Sequence, residues 1–241
     1  FQPANQYQAR QNLFGGYVSA EQKFFNRLRV IYGVRLEQVS MFYTGENNTG
    51  SVVYNDTNTL NELNILPSLN TVYELTDKMN LRAAVNRTVA RPTFREKSIA
   101  QIYDPITKRT FSGNLGVEQT YINNYDLRWE YFFGRTELIS ASAFYKRFID
   151  PIELIAYNTA PNETQPINSG TADIYGAEFE IRKSIGFNKS GQEHLNFSVG
   201  ANFTYVISRI NMNEVLITTG GITQTEKEIR ETNKREGEVI W

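Results

Sequence analysis

Few residues of this chain have the types and spacing that chemistry needs. His194 is the single histidine, and no Gly-x-Ser-x-Gly elbow accompanies it. A nucleophile–base–acid arrangement would have to use it, and no partner is evident. A surface histidine at a turn is the simpler reading. Glu178 and Glu180 lie two apart, so both carboxylates share one face if their segment is a strand. Such a pair could serve glycosidic bond hydrolysis, but a polar row lining a water-filled lumen is the favoured reading. Arg128 and Glu130 have the same spacing with opposite charges. There is no P-loop. The chain has no cysteine, which excludes cysteine zinc sites, iron–sulfur clusters, thiol catalysis and disulfides. Catalytic, cofactor and metal residues are therefore expected to be absent. The candidates for substrate contact are the polar residues Arg128, Glu130, Glu178 and Glu180.

The elements that must position these residues are written as period-two alternation, which recurs along the whole chain, while helical periodicity is almost absent. The clearest case is YDLRWEYFFGRTELISASAFYKR, Tyr125 to Arg147. Tyr125, Leu127, Trp129, Tyr131 and Phe133 share one face, with Asp126, Arg128 and Glu130 opposite. After a glycine, Ile139, Ala141, Ala143 and Tyr145 alternate with Ser140, Ser142 and Lys146. A three-residue turn, Gly134 to Thr136, pairs Tyr131 with Ile139 and Tyr125 with Tyr145 and keeps the faces aligned. A two-residue turn would slip the register and flip every side chain. Phe144 is out of place on the polar face in the favoured register.

Three further strand pairs follow the same logic. They run from about Asn12 to Gln22 with about Arg27 to Phe42, from Leu63 to Leu75 with Asn80 to Val89, and from Ile174 to Ile185 with His194 to Ile210. Long connections are expected at TGENNTGSVVYNDTNTLNE, Thr93 to Thr120, Ile149 to Ala172 and Asn211 to Glu238. Within the last, Gln224 to Glu236 lacks an apolar stripe and reads as a solvated loop.

Connections thus alternate short and long, and strands reach about ten residues, longer than the five or six usual in globular sheets. Ten residues tilted by about 40° span roughly 25 Å, the height of the apolar band of an outer-membrane barrel. Aromatic residues gather near predicted strand ends: Phe24 and Phe25, Phe42 and Tyr43, Tyr131 to Phe133, Tyr145 and Phe148. Rings at those heights would form interfacial girdles. A soluble sandwich would bury the same apolar faces against a second sheet. The mean hydropathy is negative, and no stretch approaches the ~18 to 20 apolar residues of a membrane helix. Barrel strands need no such stretch. Lys plus Arg is 25 against 26 Asp plus Glu, a net charge of −1, so no basic excess favours nucleic acid.

Residues 66 to 98, LPSLNTVYELTDKMNLRAAVNRTVARPTFREKS, closely resemble a signature of the barrel domain of TonB-dependent outer-membrane receptors. The matching positions of its last part are Ala90, Arg91, Pro92, Phe94, Arg95 and Glu96. The stretch GNLGVEQTYINNYDLRWEYFF is similar to the family's next segment through Gly113, Asn114, Glu118, Asn124, Asp126, Leu127, Glu130 and Tyr131, although GNLGVEQT lacks the usual proline. ISASAFYKRFIDPIE, IYGAEFEIRKSI and QNLFGGYVSAEQKFFNRLRVIYGVRLE also resemble family strands. The signature residues are expected to be structural. Pro92 has no N–H and falls where a strand leaves its ladder, and Arg91 and Arg95 read as structural or lipid-headgroup contacts.

The resemblance implies an all-β fold: part of an antiparallel up-and-down transmembrane barrel, with about eight or more strands of a 22-stranded barrel. Residues 1–241 would be part of a C-terminal barrel domain, with the N-terminal plug and barrel-closing strands outside this chain. The opening FQPANQYQAR has no signal-peptide organisation, which suits either the start of a mature protein or an internal piece of a longer one, and the resemblance implies the latter. The implied function is binding and energised import of a scarce ligand (siderophore, vitamin, peptide or glycan) across the outer membrane of a Gram-negative bacterium, without catalysis or cofactor. The implied partners are outer-membrane lipid and lipopolysaccharide, the periplasmic TonB protein through the missing N-terminal part, and, as a further candidate, a surface lipoprotein. The alternative is a barrel that does not transport and acts as an adhesin or as a scaffold of a surface or secretion complex. An outer-membrane hydrolase would need a partner for His194.

Overall fold

The computed structural model describes residues 3–134, 136–156, 162–187, 195–211, 216–219, 222–225 and 236–240. The predicted residue His194 and most of the charged segment 224–236 lie outside them. A short 3-10 turn, Pro3–Asn5, leads into strands β1 (Tyr7–Phe24), β2 (Leu28–Glu46), β3 (Val53–Thr76), β4 (Met79–Ala90), β5 (Gln101–Asp104), β6 (Arg109–Ser112), β7 (Thr120–Phe132) and β8 (Leu138–Ile149). There follow β9 (Ile152–Ala156), β10 (Glu163–Asn168), β11 (Thr171–Phe187), β12 (Leu195–Asn211), β13 (Leu216–Thr219), β14 (Ile222–Thr225) and β15 (Glu236–Ile240). Nine of these form one sheet in the order β1-β2-β3-β4-β7-β8-β11-β12-β15. Each is antiparallel to its neighbours, so the sheet is an up-and-down meander. The four predicted pairs are its first eight strands.

The register separates two faces. From β4 to β12 the outer face carries four successive uncharged cross-strand rows. They are Met79–Tyr131–Ile139–Ile181–Ala201, Leu81–Trp129–Ala141–Phe179–Phe203, Ala83–Leu127–Ala143–Ala177–Tyr205 and Val85–Tyr125–Tyr145–Tyr175–Ile207. Leu127 is 50% exposed, because this face has no protein against it. The inner face carries Arg82, Asn124, Arg128, Glu130, Ser140, Ser142, Glu178 and Glu180, and Glu130, Asn124 and Ser140 are buried. An apolar face left open beside a polar face that is covered inverts the soluble arrangement.

The β7–β8 hairpin adopts the register of the three-residue turn, with Tyr131 opposite Ile139, Trp129 opposite Ala141 and Tyr125 opposite Tyr145. The Tyr125 and Tyr145 rings stack at 5.8 Å. Phe144 sits on the polar face because Gly176 lies directly opposite it. A Cβ on Gly176 would come within 2.7 Å of Phe144 Cζ, so the glycine leaves the space that the ring fills.

Three expectations are corrected. The polar segment after Phe42 is not a loop, since β2 continues to Glu46 and β3 begins at Val53. The pair projects beyond the apolar band, where neither face meets lipid, so pairing persists while alternation fades. Register shifts at Met41/Phe42 and Tyr43/Gly45, with Asp56 at φ 48°, mark bulges that bend this extension. Tyr43 does not belong to a lipid-facing girdle. It is 1% exposed on the inner side, stacked on Tyr7 at 5.5 Å with Tyr54 edge-on at 5.9 Å. The connections 93–120 and 149–172 are not open loops either. They supply β5, β6, β9 and β10, a second sheet in the order β5-β6-β10-β9.

Pro67 lies where one ladder of the wall ends. The β3–β4 ladder runs from Thr76/Met79 up to Ser68/Asn86 and stops there, while β4 goes on pairing with β7 to Ala90/Thr120. Proline has no N–H to offer a further rung. The two strands stop pairing at Pro67, and just beyond it Gln119 of the 93–120 segment bonds the Asn64 side chain.

Candidate functional site

Two constellations occupy the inner face, one on the strands and one where the second sheet meets the wall. On the strands, Arg82 Nε lies 2.7 Å from Glu130 Oε2 and Arg128 Nε 3.0 Å from Glu130 Oε1. Arg128 Nη2 is 2.9 Å from Glu180 Oε2, and Arg182 Nε is 2.7 Å from Glu180 Oε1. The result is one chain of alternating charges, Arg82–Glu130–Arg128–Glu180–Arg182, crossing from β4 to β11. β7 and β11 are two ladder spacings apart, roughly 10 Å, with β8 between them. The register sets Ser140 between Glu130 and Glu180, and Ser142 between Arg128 and Glu178. These are the smallest polar side chains that fit there, and they let Arg128 reach over β8. Ser142 Oγ donates to Glu178 Oε2 at 3.4 Å. The structure thus gathers Arg128, Glu130, Glu178 and Glu180 on one face and adds Arg82 and Arg182. Each added arginine occupies a polar-face position of an alternating strand: Arg182 lies two residues from Glu180, and Arg82, opposite Arg128 in register, reaches Glu130 diagonally across the β4–β7 ladder.

The second constellation begins at the signature Ala90-Arg91-Pro92-Thr93-Phe94-Arg95-Glu96. β4 ends at Ala90, two residues before Pro92. Thr93 N and Thr93 Oγ1 donate to Glu96 Oε2 at 2.7 and 2.9 Å, and Glu96 N donates to Thr93 Oγ1 at 3.2 Å. This is a capping box on a single turn, and Thr-x-x-Glu was its unread sequence signal. Arg91 Nη2 donates to Glu37 Oε2 on β2, and Arg35 Nε donates to the other oxygen, Glu37 Oε1, at 2.5 Å. Arg95 stacks on Phe111 at 4.2 Å, and Phe94 is exposed. Arg91 and Arg95 are therefore engaged with protein groups inside the wall and in the second sheet, not with a lipid surface.

Behind this turn Lys97, 3% exposed, donates through Nζ to Leu115 O and Val117 O, both at 2.6 Å. Burial pushes its pKa down to about 8, opposed by the nearby Glu118. No periodicity marks a lysine of this kind, and the sequence reading missed it. Gly113 packs against the same turn, where a Cβ would lie 2.4 Å from Ser98 O. Asn114 Nδ2 donates to Pro166 O at 3.1 Å, Glu118 N donates to Asn168 Oδ1 at 2.7 Å, and Asn168 Nδ2 donates back to Glu118 O at 3.0 Å. These bonds join the 93–120 and 149–172 segments into one body. It is tied to the wall by the Asn64–Gln119 amide pair at 2.6 Å and by Ile99 N donating to Tyr43 Oη at 3.4 Å.

Among the described residues no group of three or more His, Asp or Glu side chains is placed to hold a metal ion. What the arrangement offers is a dense array of fixed charges and amides on one face, below a folded body at the end of the sheet opposite the short turns.

A family model described as "TonB dependent receptor-like, beta-barrel" matches residues 1–237. No curated protein matches the chain. Among solved structures it is similar to a copper transporter, OprC (TM-score 0.58, 19% identity, 86% of this chain, 30% of that chain). It is also similar to the FrpB iron transporter from Neisseria meningitidis, F3-3 variant (0.53, 15%, 86%, 27%). A third is the siderophore receptor PirA from Pseudomonas aeruginosa (0.50, 12%, 84%, 46%). Identities this low speak to the fold, and the chain spans less than half the length of each.

Proposed function

The chain belongs to the TonB-dependent receptor-like β-barrel family of Gram-negative outer membranes, and from that premise we propose that it forms part of the wall and external vestibule of an active importer. The observation that carries this reading is the union of two long connections into one body seated on the inner face. That body is held by Arg91–Glu37 and Asn64–Gln119, above the charge chain Arg82 to Arg182. A ligand arriving from outside would meet the body first and the fixed charges of Arg128, Glu130, Glu178 and Glu180 next. Arginine and carboxylate side chains already joined to each other bind a polar ligand by exchanging partners, which favours passage over tight retention.

On the same reading, residues 1–241 are part of a C-terminal barrel domain, and the periplasmic TonB protein acts through a plug and partner-binding segment outside them. The ligand is a scarce nutrient too large for passive pores: a siderophore, vitamin, peptide or glycan. The similar structures, two metal transporters and a siderophore receptor, make metal complexes the first class to try. Deletion of the gene is expected to abolish whole-cell uptake of one such radiolabelled compound, with uptake restored by the intact gene and lost again when the proton gradient is collapsed. Unchanged import of every metal siderophore, vitamin, peptide and glycan tried would remove the transport reading.

A further inference from the structure

Where β2 and β3 project beyond the apolar band, three tyrosines form a fixed group. Tyr43 on β2 stands between Tyr7 on β1, stacked at 5.5 Å, and Tyr54 on β3, edge-on at 5.9 Å. Its hydroxyl accepts from Ile99 N at 3.4 Å. Gly45 makes this arrangement possible, since a Cβ there would lie 2.8 Å from Tyr43 Oη. Gly45 is opposite Tyr7 in one ladder and Tyr54 in the next. The ring of Tyr43 therefore folds over the glycine and fills the gap between its two neighbours. Tyr43 is buried, whereas Tyr7 and Tyr54 are half-buried and keep part of each ring exposed.

An open cleft of about 620 Å³ lies against this group, lined by Tyr7 and Tyr54 together with Gln6, Gln8, Thr44 and Glu46. That volume falls in the range of small-molecule sites. Among the described residues the side chains of Gln6, Gln8 and Glu46 form no hydrogen bond or ion pair. Thr44 Oγ1 accepts from Asp56 N at 2.8 Å, which leaves its own proton to donate. No lysine or arginine lines the cleft. It thus offers two aromatic rings, two amides that both donate and accept, a hydroxyl and one carboxylate.

We infer that this cleft binds an uncharged oligosaccharide. A sugar ring has a C–H face, which packs on an aromatic ring, and an edge of hydroxyls, each both donor and acceptor. Tyr7 and Tyr54 supply the first partner, and Gln6, Gln8, Thr44 and Glu46 supply the second. An anionic ligand would meet Glu46 with no cation in the lining to offset it. An uncharged peptide presents one donor and one acceptor per residue along a fixed edge, which matches an open strand edge better than separate side chains. Tyr43 holds the two rings in place before any ligand arrives, so little ordering is required on binding. The cleft stands on the projecting part of the wall, above the apolar band, where polysaccharide in solution can reach it. It lies apart from the lumen charges proposed above for the imported ligand and does not depend on what passes them.

The test uses the full-length receptor in lauryldimethylamine oxide, a detergent without a sugar headgroup, titrated by calorimetry with maltohexaose, cellohexaose and chitohexaose. At least one of the three is expected to bind. Tyr7→Ala and Tyr54→Ala are each expected to weaken that binding about tenfold or more. Tyr17→Ala, at an exposed tyrosine nearer the short turn on the same strand, leaves it unchanged. Should either cleft variant fail to fold, Glu46→Gln at an exposed position is expected to lose a factor of about five. Absence of binding by all three hexasaccharides would overturn the site, as would binding by the folded Tyr7→Ala and Tyr54→Ala proteins within about twofold of the parent. Equal affinity for hexagalacturonate would overturn the uncharged class. Equal affinity for an uncharged hexapeptide of serine and glycine would overturn the saccharide assignment. The readout is binding and not uptake, so its failure and the failure of the import reading are separate results.

Discussion

The lower part of the sheet and the structure beyond it are built from the same ladders, yet they follow different rules. From β4 to β12, four rows on the outer face are uncharged, and the strands there alternate, with Phe144 as an exception on the polar face. Beyond Phe42 on β2, and before Leu60 on β3, pairing continues through Tyr43/Thr57 and Gly45/Tyr54, but Asn58, Asp56 and Asn55 are exposed with no apolar alternation. The difference lies in the solvent. A strand between lipid and lumen must carry an apolar side and a polar side, whereas a strand with water on its outside needs only its backbone bonds. Alternation therefore reports the bilayer and not the strand.

One pair of substitutions would break this comparison most forcefully. Leu127→Arg places a charge near the middle of the four rows and is expected to cost about 2–4 kcal/mol in lipid vesicles. Asn58→Arg, on the projecting hairpin, is expected to change stability by less than about 0.5 kcal/mol. Guanidinium unfolding of both variants in the same vesicles measures the contrast. Equal costs would mean that the hairpin is not outside the apolar band, or that Leu127 does not face lipid.

The same contrast decides what was legible in the sequence. The eight main strands, the β7–β8 register and the shared face of Arg128, Glu130, Glu178 and Glu180 followed from alternation, because lipid imposes it. The extension of β2 and β3 and the four-stranded second sheet did not. Their information sits in single residues: Pro67 ending one edge of a ladder, Thr93 and Glu96 closing a capping box, and Gly113 admitting Ser98 O. Tyr43 was misplaced for a related reason, since an aromatic residue near a strand end looks the same from the sequence whether it faces a bilayer or the interior of the vestibule. The Ala-Arg-Pro-x-Phe-Arg-Glu segment stood out only as a resemblance, and its physical role emerges from Arg91 on Glu37 and Arg95 on Phe111.

Lys97 sharpens the comparison from the other side, because it tests whether the second sheet is a folded body with its own interior. Its pKa is lowered from 10.5 to about 8 by burial. Between those values the unfolded chain holds a proton that the folded chain has released. Stability therefore rises as pH increases from about 8 to 10.5, and the contribution is lost as pH falls through 8. The expected rise is on the order of 3 kcal/mol, read from urea unfolding of the vestibule by a fluorophore on the exposed Ile106 position. Lys97→Met should flatten this pH dependence. A parent protein that shows no rise would mean that the ammonium is solvated, and that the second sheet is a loose cover rather than a packed unit.

A small effect is expected at the charge chain, and its smallness is informative. Arg128→Gln breaks two contacts, with Glu130 and with Glu180. Arg82 and Arg182 remain on those same carboxylates, so neither acid is stranded. The arginine side chains are part-exposed on a face that meets water, where single ion pairs contribute about 0–1 kcal/mol. Stability should accordingly fall by less than about 1 kcal/mol. Removing both flanking arginines as well leaves Glu130, buried, without a cation, and there the loss should exceed the sum of the single substitutions. A double-mutant cycle on Arg82 and Arg128 measures that excess. Strict additivity would show that the inner face is a set of independent surface pairs. Coupling would show that the wall holds its lumen charges as one network, poised to rearrange together when a charged ligand displaces any one of them.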